Sequence, residues 1–242
     1  MIKISLFVEG QTELIFMREY LLKMYEYQGI ALKCYTLKND TLVDAEYDYL
    51  NDDADYYFQI INVGNDNSVL TVLLKMEPWL RNKGFSKIIG IRDMYSDNYR
   101  KKVQNQTINP AINVEFIRIA QESINNRAKD PSYIHFFFAI MEIEAWWLAI
   151  ENCFQHIDDR LTNAYIHAEL GYNLTEIDPE ITFFHPAEFV NQIHGLAGGE
   201  YKKHKDQVNK LMGNLEANHF RTLAAGHKCN SFKNIHSSLF PA

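Results

Sequence analysis

Apolar and polar positions follow two alternating periods along the first 150 residues. Residues 2–8 (IKISLFV) form a short run rich in Ile, Leu, Phe and Val, and they read as a buried strand. After Glu9-Gly10-Gln11, Thr12 stands where an N-cap would, before a helix over about 13–27 with apolar positions at Leu14, Phe16, Met17, Leu21, Leu22 and Met24. Gly29 ends it, and residues 30–37 read as a second strand. The acidic, tyrosine-rich stretch 39–55 reads as a loop or irregular insertion. Residues 56–63 read as a strand, 64–68 (GNDNS) as turn and cap chemistry, and 69–83 as a helix closed by Gly84. A strand over 87–92 terminates at Asp93. A helix starting at Pro110 or Val114 runs to Lys129, an apolar strand covers 134–140, and a further helix begins at Glu142 and continues through Glu151.

Strands that alternate with helices imply βαβ units and a mostly parallel sheet, an α/β fold. After Asn152 no strand pattern remains, and helical segments such as 186–194 and 201–215 dominate. The expected organisation is an α/β domain over 1–152 and a helical C-terminal region over 153–242 packed on it. Residues 195–199 are the one hinge-like stretch.

Composition narrows the functional classes. With 242 residues, 47% of them hydrophobic, the chain can bury a sizeable core. The N-terminal apolar run is too short for a signal segment and meets Glu9 early, and the apolar stretch 134–150 is interrupted by His135, Glu142 and Glu144. A cytoplasmic protein with no membrane span is therefore the expectation. Cys34, Cys153 and Cys229 are too scattered for a disulfide framework or a zinc site. A net charge of −7 argues against a general nucleic-acid grip, so contact with a phosphate backbone must be local or mediated by a metal.

The candidate chemistry lies where strands end. Glu9, Asp93 and Glu142 each follow a strand, and in a parallel sheet the carboxyl ends share one edge, where ligands bind. Clustered carboxylates repel unless a cation joins them, and hard Mg²⁺ or Mn²⁺ prefers oxygen ligands. Acidic residues also sit after strands simply to complement helix N-termini. Two residues apart on a helix, Glu142 and Glu144 should face different directions, which makes Glu142 the ligand and Glu144 the alternative.

Val8-Glu9-Gly10-Gln11-Thr12-Glu13 resembles the V-E-G-x-T-E signature that opens Toprim-type domains of topoisomerases, primases and nucleases. The chain is similar, more closely, to a Toprim-like family of small stand-alone bacterial proteins. Asp93-Met94-Tyr95 matches that family's D-x-Y segment, and Met141-Glu142-Ile143-Glu144-Ala145-Trp146 its H-E-x-E-A segment. Tyr201-Lys202-Lys203 looks like a late Y-x-K, and Cys229-Asn230-Ser231-Phe232 like a C-x-x-F ending. The resemblance implies a Toprim-like fold, a general acid–base or metal role for Glu9 and metal binding by Asp93. It also implies substrate contacts around Gly10, Thr12, Glu13, Tyr95 and Lys202. Tyr95 stands where the wider group has a second Asp, and Asp97 is the candidate replacement. Met141 stands where relatives have His.

The function these features imply is Mg²⁺- or Mn²⁺-dependent hydrolysis of DNA or RNA, with Lys203 neutralising charge on the phosphate. The bland reading of Lys203 is a solvated helix face beside Lys202 and Lys205. Stand-alone Toprim-like proteins often accompany ABC- or AAA-type ATPases in phage-defence modules, so an ATPase partner is implied; a homodimer is a further expected state. The competing readings are a non-catalytic binding or assembly subunit and a phosphatase or phosphotransferase acting on a small substrate. The nine histidines show no zinc spacing, and Trp146 and Trp147 are expected in the core.

Overall fold

A computed structural model of the chain describes residues 1–65 and 68–241. Asp66 and Asn67, part of the expected turn and cap at 64–68, lie outside the described residues. The chain divides into two compact units. The first is Met1–Arg92 with Asn113–Phe138, and the second is Asp93–Ile112 with Ala139–Ala242. The unit boundaries fall at the ends of two strands and inside a helix.

The first unit is a six-stranded sheet flanked by helices, and the α/β fold class expected from the alternating periods holds. Its strands are β1 (Ile2–Val8), β2 (Ile30–Lys38), β3 (Thr41–Asp44), β4 (Tyr56–Asn62), β5 (Lys87–Asp93) and β6 (Ile134–Ala139), in the order β3-β2-β4-β1-β5-β6. β1 pairs parallel with both β4 and β5, and β2 pairs parallel with β4. β1 and β4 are central and covered on both faces, which is why their apolar runs are continuous instead of alternating. Helix α1 (Gln11–Met24) carries the chain from β1 to β2, and α2 (Val69–Asn82) carries it from β4 to β5. These crossovers run in opposite directions along the sheet, so right-handed connections put the two helices on opposite faces. One core joins Phe7 and Ile61 of the sheet to Leu73, Leu74 and Leu80 of α2 and to Ile124 of α4 (Pro110–Arg127).

The stretch 39–55 is more ordered than expected. Asn39 and Asp40, both with positive φ (48° and 61°), make a two-residue turn from β2 into β3, which runs antiparallel to it. Both central residues in the left-handed region is the geometry of a type I′ hairpin. Tyr49 makes a further antiparallel bridge to Leu32. β3 carried no periodic signal because it is four residues long and largely exposed.

Gly90 in β5 is required by packing. A Cβ there would collide with the Phe136 ring and press on Leu73 at 3.0 Å.

The second unit is helical: α3 (Asp97–Arg100), α5 (Glu144–Ala149), α6 (Asn163–Leu170), α7 (Pro179–Thr182), α8 (Pro186–Leu196), α9 (Lys205–Gly213), α10 (Ala217–Ala225) and α11 (Asn230–Leu239). Trp146, Trp147, Phe154, Phe220 and Phe232 are fully buried here, as expected for the tryptophans. Trp146 Nε1 donates to Glu180 Oε1 at 3.1 Å and Ser231 Oγ at 2.9 Å, so the buried indole is satisfied. The Cys229–Phe232 segment, which carries the C-x-x-F pattern, opens α11 and packs Phe232 on Trp146. All three cysteines are free and buried. Among the described residues no helix is long and apolar enough to cross a membrane.

Candidate metal centre

The candidate site is built entirely within the second unit, from the residues where β5 and β6 end. Met94 N donates to Ala139 O at 2.9 Å and Tyr95 N to Met141 O at 2.7 Å, which carries the strand pairing past Asp93. Met141 then turns with φ +63°, a conformation a long side chain rarely takes. The turn delays α5 until Glu144, so Glu142 precedes the helix. The two glutamates, expected to face different directions as ligand and alternative, therefore lie together. Asp93, Glu142 and Glu144 each offer a carboxylate oxygen within 4.8 Å of the others, and all three are buried. Asp93 Oδ1 accepts the amide of Ile143 at 3.0 Å, the residue between the two glutamates.

Each glutamate has a distinct environment. Glu142 Oε2 accepts from His185 Nδ1 at 2.7 Å and from the Ala187 amide at 2.8 Å, in the first turn of α8. Burial opposes ionisation of Glu142, but the His185 hydrogen bond, the Lys203 charge and the Ala187 amide outweigh it and hold its pKa below the ordinary value. Glu144 is fully buried; burial and the Glu142 charge push its pKa up against the pull of Lys203. Its Oε1 accepts from Tyr201 OH at 2.9 Å and pairs with Lys203 Nζ at 3.0 Å. Its Oε2 is buried with no hydrogen-bond partner. Lys203 Nζ also lies 3.3 Å from Glu142 Oε1.

The sequence offers Lys203 as a cation for the phosphate or, in the bland reading, as part of a solvated face of a helix over 201–215. That helix starts only at Lys205. Gln207 Oε1 accepts from the Lys202 and His204 amides at 2.9 and 3.3 Å and holds residues 201–204 outside the helix. The Y-x-K pattern thereby delivers both Tyr201 and Lys203 to Glu144. His185 is one of the nine histidines without zinc spacing, and its one sequence signal is its place before Pro186, the first residue of α8. Its ring also packs on Tyr95 at 4.5 Å between centroids.

The other expected site residues are distributed differently. Asp97 is not in the carboxylate group; exposed at the start of α3, it pairs with Arg100. Lys202 is exposed and pairs with Glu200 at 2.8 Å. Glu9 follows β1 in the first unit and is half-buried. Gly10, not Thr12, is the N-cap of α1, and Thr12 and Glu13 are buried in its first turn.

The donor set fits a hard divalent cation. It consists of oxygens, it is clustered, and one oxygen of Glu144 has no other partner. Octahedral Mg²⁺ with ligands at about 2.1 Å spans roughly 3–4 Å between oxygens, so small side-chain shifts would close the site. A cavity of about 570 Å³ lies elsewhere in this unit, lined by Ile150, Asn152, His156, Asn163, His219 and Lys228 among others. It shares no residue with the carboxylates. Searched against family models, curated proteins and solved structures, the chain has no significant match.

Proposed function

We propose that this chain is a Toprim-type, Mg²⁺- or Mn²⁺-dependent nuclease whose metal ligands are Asp93, Glu142 and Glu144. The observation that supports it best is the buried carboxylate trio with an unpartnered Glu144 Oε2. Three carboxyl groups share one fixed positive charge, Lys203, and such a group is stabilised by a divalent ion. The ion, when bound, supplies Lewis-acid activation of water and charge neutralisation at a phosphodiester.

The chain's own residues supply the rest. The Ile143 amide orients Asp93. His185 and the α8 amide of Ala187 orient Glu142, and Tyr201 orients Glu144. Lys203 contributes a cation for the substrate phosphate. For an acidic protein, a local metal and one lysine are the means of holding a polyanion. Glu9 remains a proposed acid–base residue on the strength of the V-E-G-x-T-E resemblance alone. An ATPase partner is proposed on the same resemblance.

A second reading is favoured by one observation: the Lys203 ammonium already bridges Glu142 and Glu144. On that reading the chain keeps a Toprim-like fold as a non-catalytic assembly subunit, with lysine in place of the metal.

The test is incubation of the purified protein with plasmid, single-stranded DNA and total tRNA in Mg²⁺, Mn²⁺ or EDTA, beside Asp93→Asn, Glu144→Gln and Glu9→Gln. Metal-dependent cleavage abolished by the first two substitutions supports the nuclease. Cleavage that survives both removes this site. Loss or retention in Glu9→Gln decides the role of Glu9 separately.

A further inference from the structure

We infer that Lys203 is a displaceable internal counter-cation: its ammonium holds the carboxylates in the metal-free protein and exchanges with the incoming divalent ion. This rests on the metal-site reading above and adds a regulatory element to it. Nζ lies 3.0 Å from Glu144 Oε1 and 3.3 Å from Glu142 Oε1, so one positive charge serves two buried acids. The burial is unequal. The Lys203 side chain is 37% exposed, whereas those of Glu142 and Glu144 are 5% and 0% exposed. The lysine therefore has a path to solvent that the carboxylates lack.

The backbone supports a switch of this kind. Lys203 has φ +56°, a left-handed conformation that L side chains rarely adopt, in the segment Gln207 holds off α9. His185 and Tyr201 face the same carboxylates and donate to them, but Lys203 carries the fixed positive charge that reaches both glutamates. A divalent ion brings two charges where the ammonium brings one, and Glu144 Oε2 gives it an oxygen that no hydrogen bond occupies. Once displaced, the ammonium would be free to offer its charge to an anionic phosphate. Its competition for the carboxylates lowers the apparent affinity of the site for the ion.

The experiment is Mn²⁺ titration by calorimetry of the wild-type chain, Lys203→Met and Lys203→Arg, together with amine labelling of Lys203 read by mass spectrometry with and without Mn²⁺. Lys203→Met removes the competitor, so its Mn²⁺ affinity should rise by about tenfold, while Lys203→Arg stays near wild type. Labelling of Lys203 in the wild-type chain should increase on saturation with Mn²⁺. Equal or weaker binding by Lys203→Met, or labelling indifferent to saturating Mn²⁺, overturns the inference and leaves the metal site standing. If Lys203→Met does not fold, the labelling arm on the wild-type chain still decides. Absence of Mn²⁺ binding in every protein overturns the metal site and this inference together.

Discussion

Asp93 Oδ1 accepts the backbone amide of Ile143 at 3.0 Å, and this single bond ties the end of β5 to the residue between Glu142 and Glu144. The carboxylate therefore holds together the segment that presents the other two acids. Asp93→Ala leaves a buried amide without this acceptor and should destabilise the fold by about 1–3 kcal/mol. Asp93→Asn keeps an amide oxygen in the same place and should lose less. Urea unfolding of both variants checks this; equal losses would show that the Ile143 bond contributes nothing.

Glu180 makes stability fall as pH rises. Burial pushes its pKa up to about 7 despite hydrogen bonds from Ser231 and Trp146. Below about 4.5 the group is protonated in both folded and unfolded chains. Between about 4.5 and about 7 only the unfolded chain ionises, so stability declines across that window and levels off above it, by on the order of 3 kcal/mol at most. Glu180→Gln should flatten the slope in unfolding free energy between pH 4.5 and 7. A slope unchanged in that variant would assign the effect to another group.

His194 acts in the opposite direction. Burial, with a smaller contribution from Lys210, lowers its pKa from 6.5 to about 4, and its buried Nε2 has no hydrogen-bond partner. The neutral ring is stabilising above pH 6.5, and that contribution is lost as pH falls from 6.5 to about 4, because the unfolded chain takes up the proton first. His194→Phe preserves a ring against Tyr201, whose centroid lies 5.3 Å away, and sacrifices no hydrogen bond at Nε2. The variant should be as stable as wild type at pH 7.5 and more resistant between pH 4 and 6 in thermal melts. Equal acid sensitivity of the two proteins would count against it.

Gly90 tests the packing of the sheet. Its missing Cβ makes room for Phe136 and Leu73, so Gly90→Ala should cost about 1–3 kcal/mol through overpacking. Gly90→Ala combined with Phe136→Ala should recover part of the strain relative to the sum of the two single changes. A fully additive double variant, measured by chemical unfolding, would deny the contact.

Much of this architecture was legible in the chain. The runs at residues 2–8, 56–63 and 134–140 are apolar because their strands carry a core, and Gly84 follows the C-cap of α2; α1, expected to reach residue 27, ends earlier, at Met24. β3 was hidden by its brevity and polarity, though Asn39-Asp40 is a recognisable left-handed turn pair. In the candidate site, Asp93 and Glu142 were visible as acids after strands. Pairing Glu144 with them was not, because it depends on the left-handed Met141 delaying α5 by two residues. Lys203 looked like one lysine among several on a helix, and only the Gln207 cap, a contact between side chain and backbone, sets it apart. His185 and Tyr201 gain meaning only from tertiary placement, since each lies more than 40 residues from the glutamate it touches.

The most direct measurement is Mn²⁺ binding by the wild-type chain compared with Asp93→Asn and Glu144→Gln in isothermal titration calorimetry. Saturable binding that weakens by about tenfold or more in each variant is expected if these oxygens are the ligands. No binding at millimolar Mn²⁺, or binding indifferent to both substitutions, would contradict the metal centre on which the proposed nuclease depends.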